Sequence, residues 1–174
     1  LDMEFERRMN VTVDEYLEMI KLKTSVLLAG ACSIGAIMAD ATPDVRQKLY
    51  DYGLALGIAF QLRDDWLDTF GDPAIFGKEI GGDILNRKKT WLLITALGES
   101  EGELAAILAE NPTDHILIER VRAVYDRLGL NERCSALAES YSQKAIEAIE
   151  SIEMDADARR FFIELAKNAS TRAH

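Results

Sequence analysis

The chain has 174 residues, enough to bury a substantial core without disulfide or metal staples. Its 30 acidic and 20 basic residues leave a formal net charge of −10, which argues against nucleic acid or an anionic membrane surface as a general partner. Any anionic substrate would therefore need a local basic patch or a metal ion. Hydrophobic residues make up 48% of the chain, so a packed globule is expected.

Cys32 and Cys134 lie far apart inside apolar helical patterns and lack metal-ligand spacing. They read as reduced core residues of a cytoplasmic protein. No secretory signal is evident. The longest apolar run, Val26 to Ala39, is too short and too rich in small residues to span a bilayer, and reads as a buried central helix. The opening Leu1, Asp2, Met3, Glu4 and Phe5 offers neither an initiator Met nor a cap, so upstream sequence is expected.

In chain order, the first ten residues read as the end of a helix. Thr12 and Glu15 then form a capping box, in which each side chain satisfies the other's backbone donor, and a helix should begin at Val13. Tyr16, Leu17, Ile20, Leu27, Leu28 and Ala31 recur at helical spacing. Whether Gly30 and Gly35 bend this helix or admit a neighbour is open. Thr42 followed by Pro43 marks a second start, since proline at the first helical position loses no bond. That helix should run from about Asp44 to about Thr69. Its Gly53 and Gly57 each cost roughly 1 kcal/mol against Ala, so close helix packing or ligand access should justify them.

Phe70, Gly71, Asp72 and Pro73 end the helix, and a glycine-rich loop through Gly77, Lys78, Gly81, Gly82 and Asp83 extends to Arg87. A buried helix resumes at Trp91 to Leu97. Amphipathic helices follow at about Ser100 to Ala109, Thr113 to Leu128, Asn131 to Glu150 and Asp155 to Ser170. Strand signals are nearly absent. The fold is therefore all-α, and 1–174 reads as one domain or part of one.

Gln61, Asp64, Asp65 and Asp68 form the stretch that most needs a reason. Asp is a poor interior helix residue, and like charges four apart repel by a few tenths of a kcal/mol. A solvated acidic face is the bland explanation, but the same face continues into Gly57 and Phe60 in a segment that reads as buried. Magnesium takes oxygen ligands, keeps several waters and joins one or two carboxylates to substrate phosphates, so a magnesium site is the sharper hypothesis. Lys23, beside Thr24, is either a lysine snorkelling from a half-buried helix or a phosphate ligand. Lys78 is either a loop lysine or a mobile phosphate clamp, and it lacks a P-loop pattern. Lys88 could act similarly, whereas His115 and His174 suggest no catalysis.

Together, Lys23-Thr24, Phe60-Gln61-x-x-Asp64-Asp65-x-x-Asp68, Gly77-Lys78-x-x-Gly81-x-Asp83 and Lys88-x-Thr90 resemble, in order and spacing, the second half of trans-isoprenyl diphosphate synthases of the farnesyl and geranylgeranyl type. The match runs from Asp2 to about Leu97. The family's first aspartate-rich motif, which lies upstream in complete members, does not occur in this chain, and Leu92 stands where many members carry proline. The resemblance implies an isoprenoid-synthase helical bundle, here its C-terminal portion, that condenses an allylic diphosphate with isopentenyl diphosphate. It implies three magnesium ions, with Asp64, Asp65 and Asp68 as ligands in this half. By the same resemblance Lys23, Lys78 and Lys88 bind diphosphate, Thr24 and Gln61 face the allylic cation, Phe60 orients isopentenyl diphosphate, and the protein is a homodimer. A terpene cyclase, a head-to-head synthase and a non-catalytic regulatory subunit are the alternatives. This piece alone is expected to be inactive.

Overall fold

The computed structural model describes residues 11–72 and 80–172. All regular structure among them is helical. Helix α1 (Val13–Ile20) passes through a π-helical turn, Lys21–Ser25, into α2 (Val26–Met38). After a short turn come α3 (Pro43–Phe70), the single turn α4 (Gly82–Leu85), α5 (Trp91–Glu99), α6 (Glu103–Glu110), α7 (Asp114–Arg127), α8 (Leu130–Glu150) and α9 (Ala156–Thr171). The start signals operate as expected. The Thr12 N–H donates to Glu15 Oε2 at 2.9 Å while the Glu15 N–H donates to Thr12 Oγ1 at 3.2 Å, closing the capping box ahead of α1. Pro43 opens α3, and Thr90 caps α5 by accepting from the Leu93 N–H. The segment expected to be loop as far as Arg87 contains α4 instead, because Gly81 in the left-handed region (φ 92°) starts a helical turn there.

The described residues form two compact units. The first comprises 11–16, 64–72 and 80–135. Its buried side chains include Tyr16, Leu67, Leu92, Leu104, Val121, Val124, Tyr125 and Leu130. Trp66 anchors the C-terminal turns of α3 here, donating from Nε1 to Asn131 Oδ1 at 2.9 Å and packing on Phe70, which in turn meets Tyr125.

The second unit comprises 17–63 and 136–172. Tyr52, Leu56, Ala59, Ile146, Ile149, Ile152, Ala166 and Ala169 belong to its core. Tyr52 meets Phe162 edge-on and its hydroxyl donates to the Phe162 carbonyl at 2.9 Å. Here α2 and α3 touch at backbone distance. A Cβ on Gly53 would stand 2.5 Å from Ala29 Cα, and one on Gly57 would stand 2.6 Å from Ser25 Cα. The two glycines thus serve the close packing expected of them. Among the described residues nothing lies within 4 Å of a Cβ added to Gly30 or Gly35.

That close contact corrects the reading of Val26 to Ala39 as a buried central helix. Within α2 only Ala29 and Ala36 are buried, while Leu27 is 77% and Met38 81% exposed. Backbone contact covers a narrow stripe of small residues, and the large side chains on the other faces of the helix stay outside it. Cys32 is likewise half-buried rather than a core residue, whereas Cys134 is fully buried, and neither forms a disulfide. By length and composition alone the continuous helix Val13–Met38 is long and apolar enough to cross a membrane, unlike Val26 to Ala39 taken by itself.

Candidate functional site

The acidic turn of α3 is built around one buried carboxylate. Asp65 is 1% exposed, accepts a hydrogen bond from the Tyr16 hydroxyl at 2.5 Å on Oδ2, and accepts one from Lys88 Nζ at 3.0 Å on Oδ1. Lys88 also donates to Asp83 Oδ2 at 2.8 Å. Asp83 in turn gives its backbone N–H to Asp68 Oδ2 at 2.7 Å, and the Gly81 N–H donates to the Asp68 carbonyl at 2.7 Å. The turn from Gly81 to Asp83 is thereby fastened to α3. Glycine suits position 81 because its φ is positive, and a Cβ there would also press on the Ile118 side chain, with Cδ1 at 2.8 Å.

Burial outweighs the Lys88 charge and the Tyr16 hydrogen bond, which both act downward, and leaves the Asp65 carboxyl raised to about 6. Burial also disfavours the Lys88 ammonium, but the Asp65 charge and the hydrogen bond to Asp83 outweigh it and hold the lysine above its ordinary value. The 3.0 Å contact between Lys88 and Asp65 has the geometry of an ion pair. The Tyr16 hydroxyl, raised by burial and by the Asp65 charge, remains a donor. Asp68 is raised first by burial and then by the charges of Asp83 and Asp64, against the Asp83 N–H and Lys88, which lower it.

That last observation bears on a metal. Among the described residues no group of three or more His, Cys, Asp or Glu side chains is gathered to hold an ion unaided. Asp64 and Asp68 are nonetheless half-exposed, and the charge of Asp64 adds to the cost of ionising Asp68. A cation would relieve that cost, and magnesium needs only one or two protein carboxylates when phosphates and water complete its shell. The donor set fits magnesium in that sense.

The second unit holds the other expected residues. Lys23 is exposed and lies in the π-helical turn, a local irregularity that frequently marks functional sites. Thr24, in the same turn, donates from Oγ1 to Gln61 Oε1 at 3.4 Å. Phe60 is partly exposed, with the Arg172 guanidinium stacked over its ring at 3.9 Å, and Arg63 Nε donates to the Arg172 carbonyl at 2.9 Å. Lys78 lies outside the described residues. Sequence reasoning missed Tyr16, whose spacing marked it only as a core position, and Arg172, which no pattern singled out. It also gave Asp83 no role, although the glycine-rich motif contained it.

Comparison with known proteins decides the family. A profile described as polyprenyl synthetase matches residues 1–128. The chain belongs to the polyprenyl synthetase family. It is 38% identical over 178 residues to a short chain isoprenyl diphosphate synthase of Methanothermobacter thermautotrophicus, covering 100% of this chain and 54% of that protein. It is 38% identical over 156 residues to a geranylgeranyl diphosphate synthase of Saccharolobus solfataricus, covering 87% and 47%. Among solved structures, the geranylgeranyl pyrophosphate synthetase of Pyrococcus horikoshii superposes with a TM-score of 0.91 at 28% identity, covering 98% of this chain and 53% of that one. The enzyme from Corynebacterium glutamicum, complexed with isoprenyl diphosphate and magnesium, gives 0.88 at 27%, covering 99% and 50%. The all-helical bundle is thus that of the polyprenyl synthetases, and the chain spans about half the length of the relatives it matches.

Proposed function

We propose that residues 1–174 are the C-terminal part of a single helical domain that condenses an allylic diphosphate with isopentenyl diphosphate, in the presence of magnesium, to give a longer isoprenyl diphosphate. The observation that carries this reading is the acidic turn of α3, where half-exposed Asp68 is hydrogen-bonded through Asp83 to Lys88 and feels the charge of half-exposed Asp64. The relatives' names and the magnesium-bound structure of one of them support it.

In this proposal Asp64 and Asp68 hold magnesium in this half of the site, with Asp65 beside them, and three ions serve the complete one. Magnesium, when bound, neutralises diphosphate oxygens and so favours departure of the leaving group. Lys23 and Lys78 bind the same diphosphate. Lys88 joins them through the third hydrogen of its ammonium, since Asp65 and Asp83 take the other two. Fixed cations placed where charge develops act mainly on the transition state, which is the largest source of catalysis in such sites. Thr24 and Gln61 set oxygen dipoles toward the allylic cation as its bond to the diphosphate breaks. Phe60 orients isopentenyl diphosphate, whose double bond attacks that cation before a proton is lost. Apolar helices exclude water from the cation.

A cytoplasmic location and a homodimer of the complete protein belong to the same proposal and rest on the resemblance. The test is Asp64→Ala in the complete protein. Condensation of radiolabelled isopentenyl diphosphate with allylic diphosphates should fall by at least about 100-fold, as when a group acting on developing charge is removed, while the circular dichroism spectrum stays unchanged. Undiminished turnover would remove Asp64 from the site. For the 174-residue chain alone we expect weak binding of magnesium diphosphate and no turnover.

A further inference from the structure

We propose that Tyr16 is a positioning residue for this site, and that Asp65 serves as an internal anchor between Tyr16 and Lys88 rather than as a ligand open to the ion. The inference rests on the proposed function for its ligand and on the geometry for its logic. Asp65 is enclosed, and each of its oxygens accepts a hydrogen bond. A carboxylate engaged in this way is poorly placed to reach an ion shared with solvent and phosphate, but well placed to fix the group on its other side. That group is the Lys88 ammonium, which is 43% exposed and passes the contact on. Lys88 fixes the Asp83 carboxylate, and the Asp83 backbone N–H fixes one oxygen of Asp68. Five residues, contributed by α1, α3, α4 and the segment before α5, thus form one hydrogen-bonded series that ends at the carboxylate facing the ligand.

The Tyr16 hydroxyl is the innermost member of the series, and it is a buried donor whose acceptor also contacts the Lys88 ammonium at ion-pair distance. Charge-assisted bonds of this kind are roughly twice as strong as neutral ones. Without it, Asp65 loses the contact that holds its carboxylate plane. Lys88 can then follow the freed oxygen, and the turn from Gly81 to Asp83 loses its alignment with Asp68. Outer partners of this kind typically change metal affinity by 10–100-fold when removed. Their loss is felt in ligand affinity more than in the fold, because the aromatic ring that fills the core is kept in Tyr16→Phe.

The test is isothermal titration of magnesium into the 174-residue chain in the presence of inorganic diphosphate, comparing wild type, Tyr16→Phe, Lys88→Met, the double variant and Asp64→Ala. Tyr16→Phe should weaken magnesium binding roughly 10-fold. The double variant should be little worse than Lys88→Met alone, because Tyr16 reaches the site only through Asp65 and Lys88. An unchanged dissociation constant in Tyr16→Phe, with Asp64→Ala abolishing the binding, would overturn the positioning role and leave the site reading intact. Binding retained in Asp64→Ala, or absent in the wild type, would overturn the site reading and this inference with it. Strictly additive losses in the double variant would also overturn the relay. Should Tyr16→Phe fold poorly, Lys88→Met, which alters a partly exposed side chain, carries the test: unchanged affinity there breaks the series at its central member.

Discussion

Helix α3 is held in two opposite ways along its length. In the second unit it is specified by what it lacks: Gly53 and Gly57 leave no side chain, and Ala29 and Ser25 close on the bare backbone. In the first unit it is specified by a charge it carries: Asp65 is buried and satisfied by a phenol and an ammonium. The first arrangement is dense, apolar and intolerant of added volume. The second is polar, spans several elements and ends at partly exposed groups. Close packing can fix a helix against its neighbour, and a polar network can hold side chains in the geometry a charged ligand needs.

The sharpest way to break the comparison is to fill the notch. Gly57→Leu puts a side chain where Ser25 Cα already stands 2.6 Å from the ideal Cβ, and that neighbour is backbone. The helical propensity gained over glycine, about 1 kcal/mol, cannot offset a forced separation of two helices. We expect destabilisation at or above the upper end of the usual overpacking range of about 1–3 kcal/mol, read from chemical denaturation. A Gly57→Leu variant as stable as the wild type would mean that the contact is not a constraint.

A smaller effect is expected from the polar end. Asp65→Leu, made together with Tyr16→Phe so that no buried phenol loses its acceptor, removes the carboxylate and leaves Lys88 with Asp83 alone. Breaking a fully buried pair costs about 3–5 kcal/mol, but Lys88 is 43% exposed and can turn to water. We therefore expect a loss of about 1–2 kcal/mol after discounting for solvent. Adding Lys88→Met should restore part of it, since apolar replacement of both partners is often neutral or favourable. A variant made less stable by the added Lys88→Met would show that the network supports the fold, rather than chiefly shaping the site.

These two ends of α3 were unequally legible. The helix starts at Val13 and Pro43 could be read because a capping box and a cap followed by proline act through residues three apart or adjacent. The glycine pair announced a close approach because glycine inside a helix is costly without one. The identity of the neighbour, and hence the exposure of Leu27, Ile34, Ile37 and Met38, was not legible: apolar composition says that a side chain prefers burial, not that a partner exists. The acidic turn showed where charge concentrates, and the resemblance supplied the chemistry proposed for it. The partner of Asp65 could not be found, because a tyrosine 49 positions earlier at helical spacing looks like any core residue. The π-helical turn at Lys23 was hidden for a related reason: its sequence is compatible with an ordinary α-helix, and one extra residue in a turn leaves no mark on composition.

The smallest expected effect separates burial from charge as the source of strength in the polar network. Arg133 forms a two-pronged pair with Glu99, with Nη1 and Nη2 at 2.7 and 2.8 Å from the two carboxylate oxygens. Its geometry rivals that of Lys88 with Asp65, yet both partners lie at the surface. The Arg133 hydrogen bond leads the influences that hold the Glu99 carboxyl below its ordinary value. Such a pair contributes stability above the unfolded carboxylate value of 4.5, and loses it as the pH falls through the depressed folded value. Glu99→Gln should therefore lower the unfolding midpoint slightly at pH 7, by less than Asp65→Leu with Tyr16→Phe does, and the difference should shrink in acid and in high salt. If Glu99→Gln instead cost as much as that double substitution, with no dependence on salt, good geometry alone would account for both pairs, and enclosure of Asp65 would have no special part in positioning Lys88.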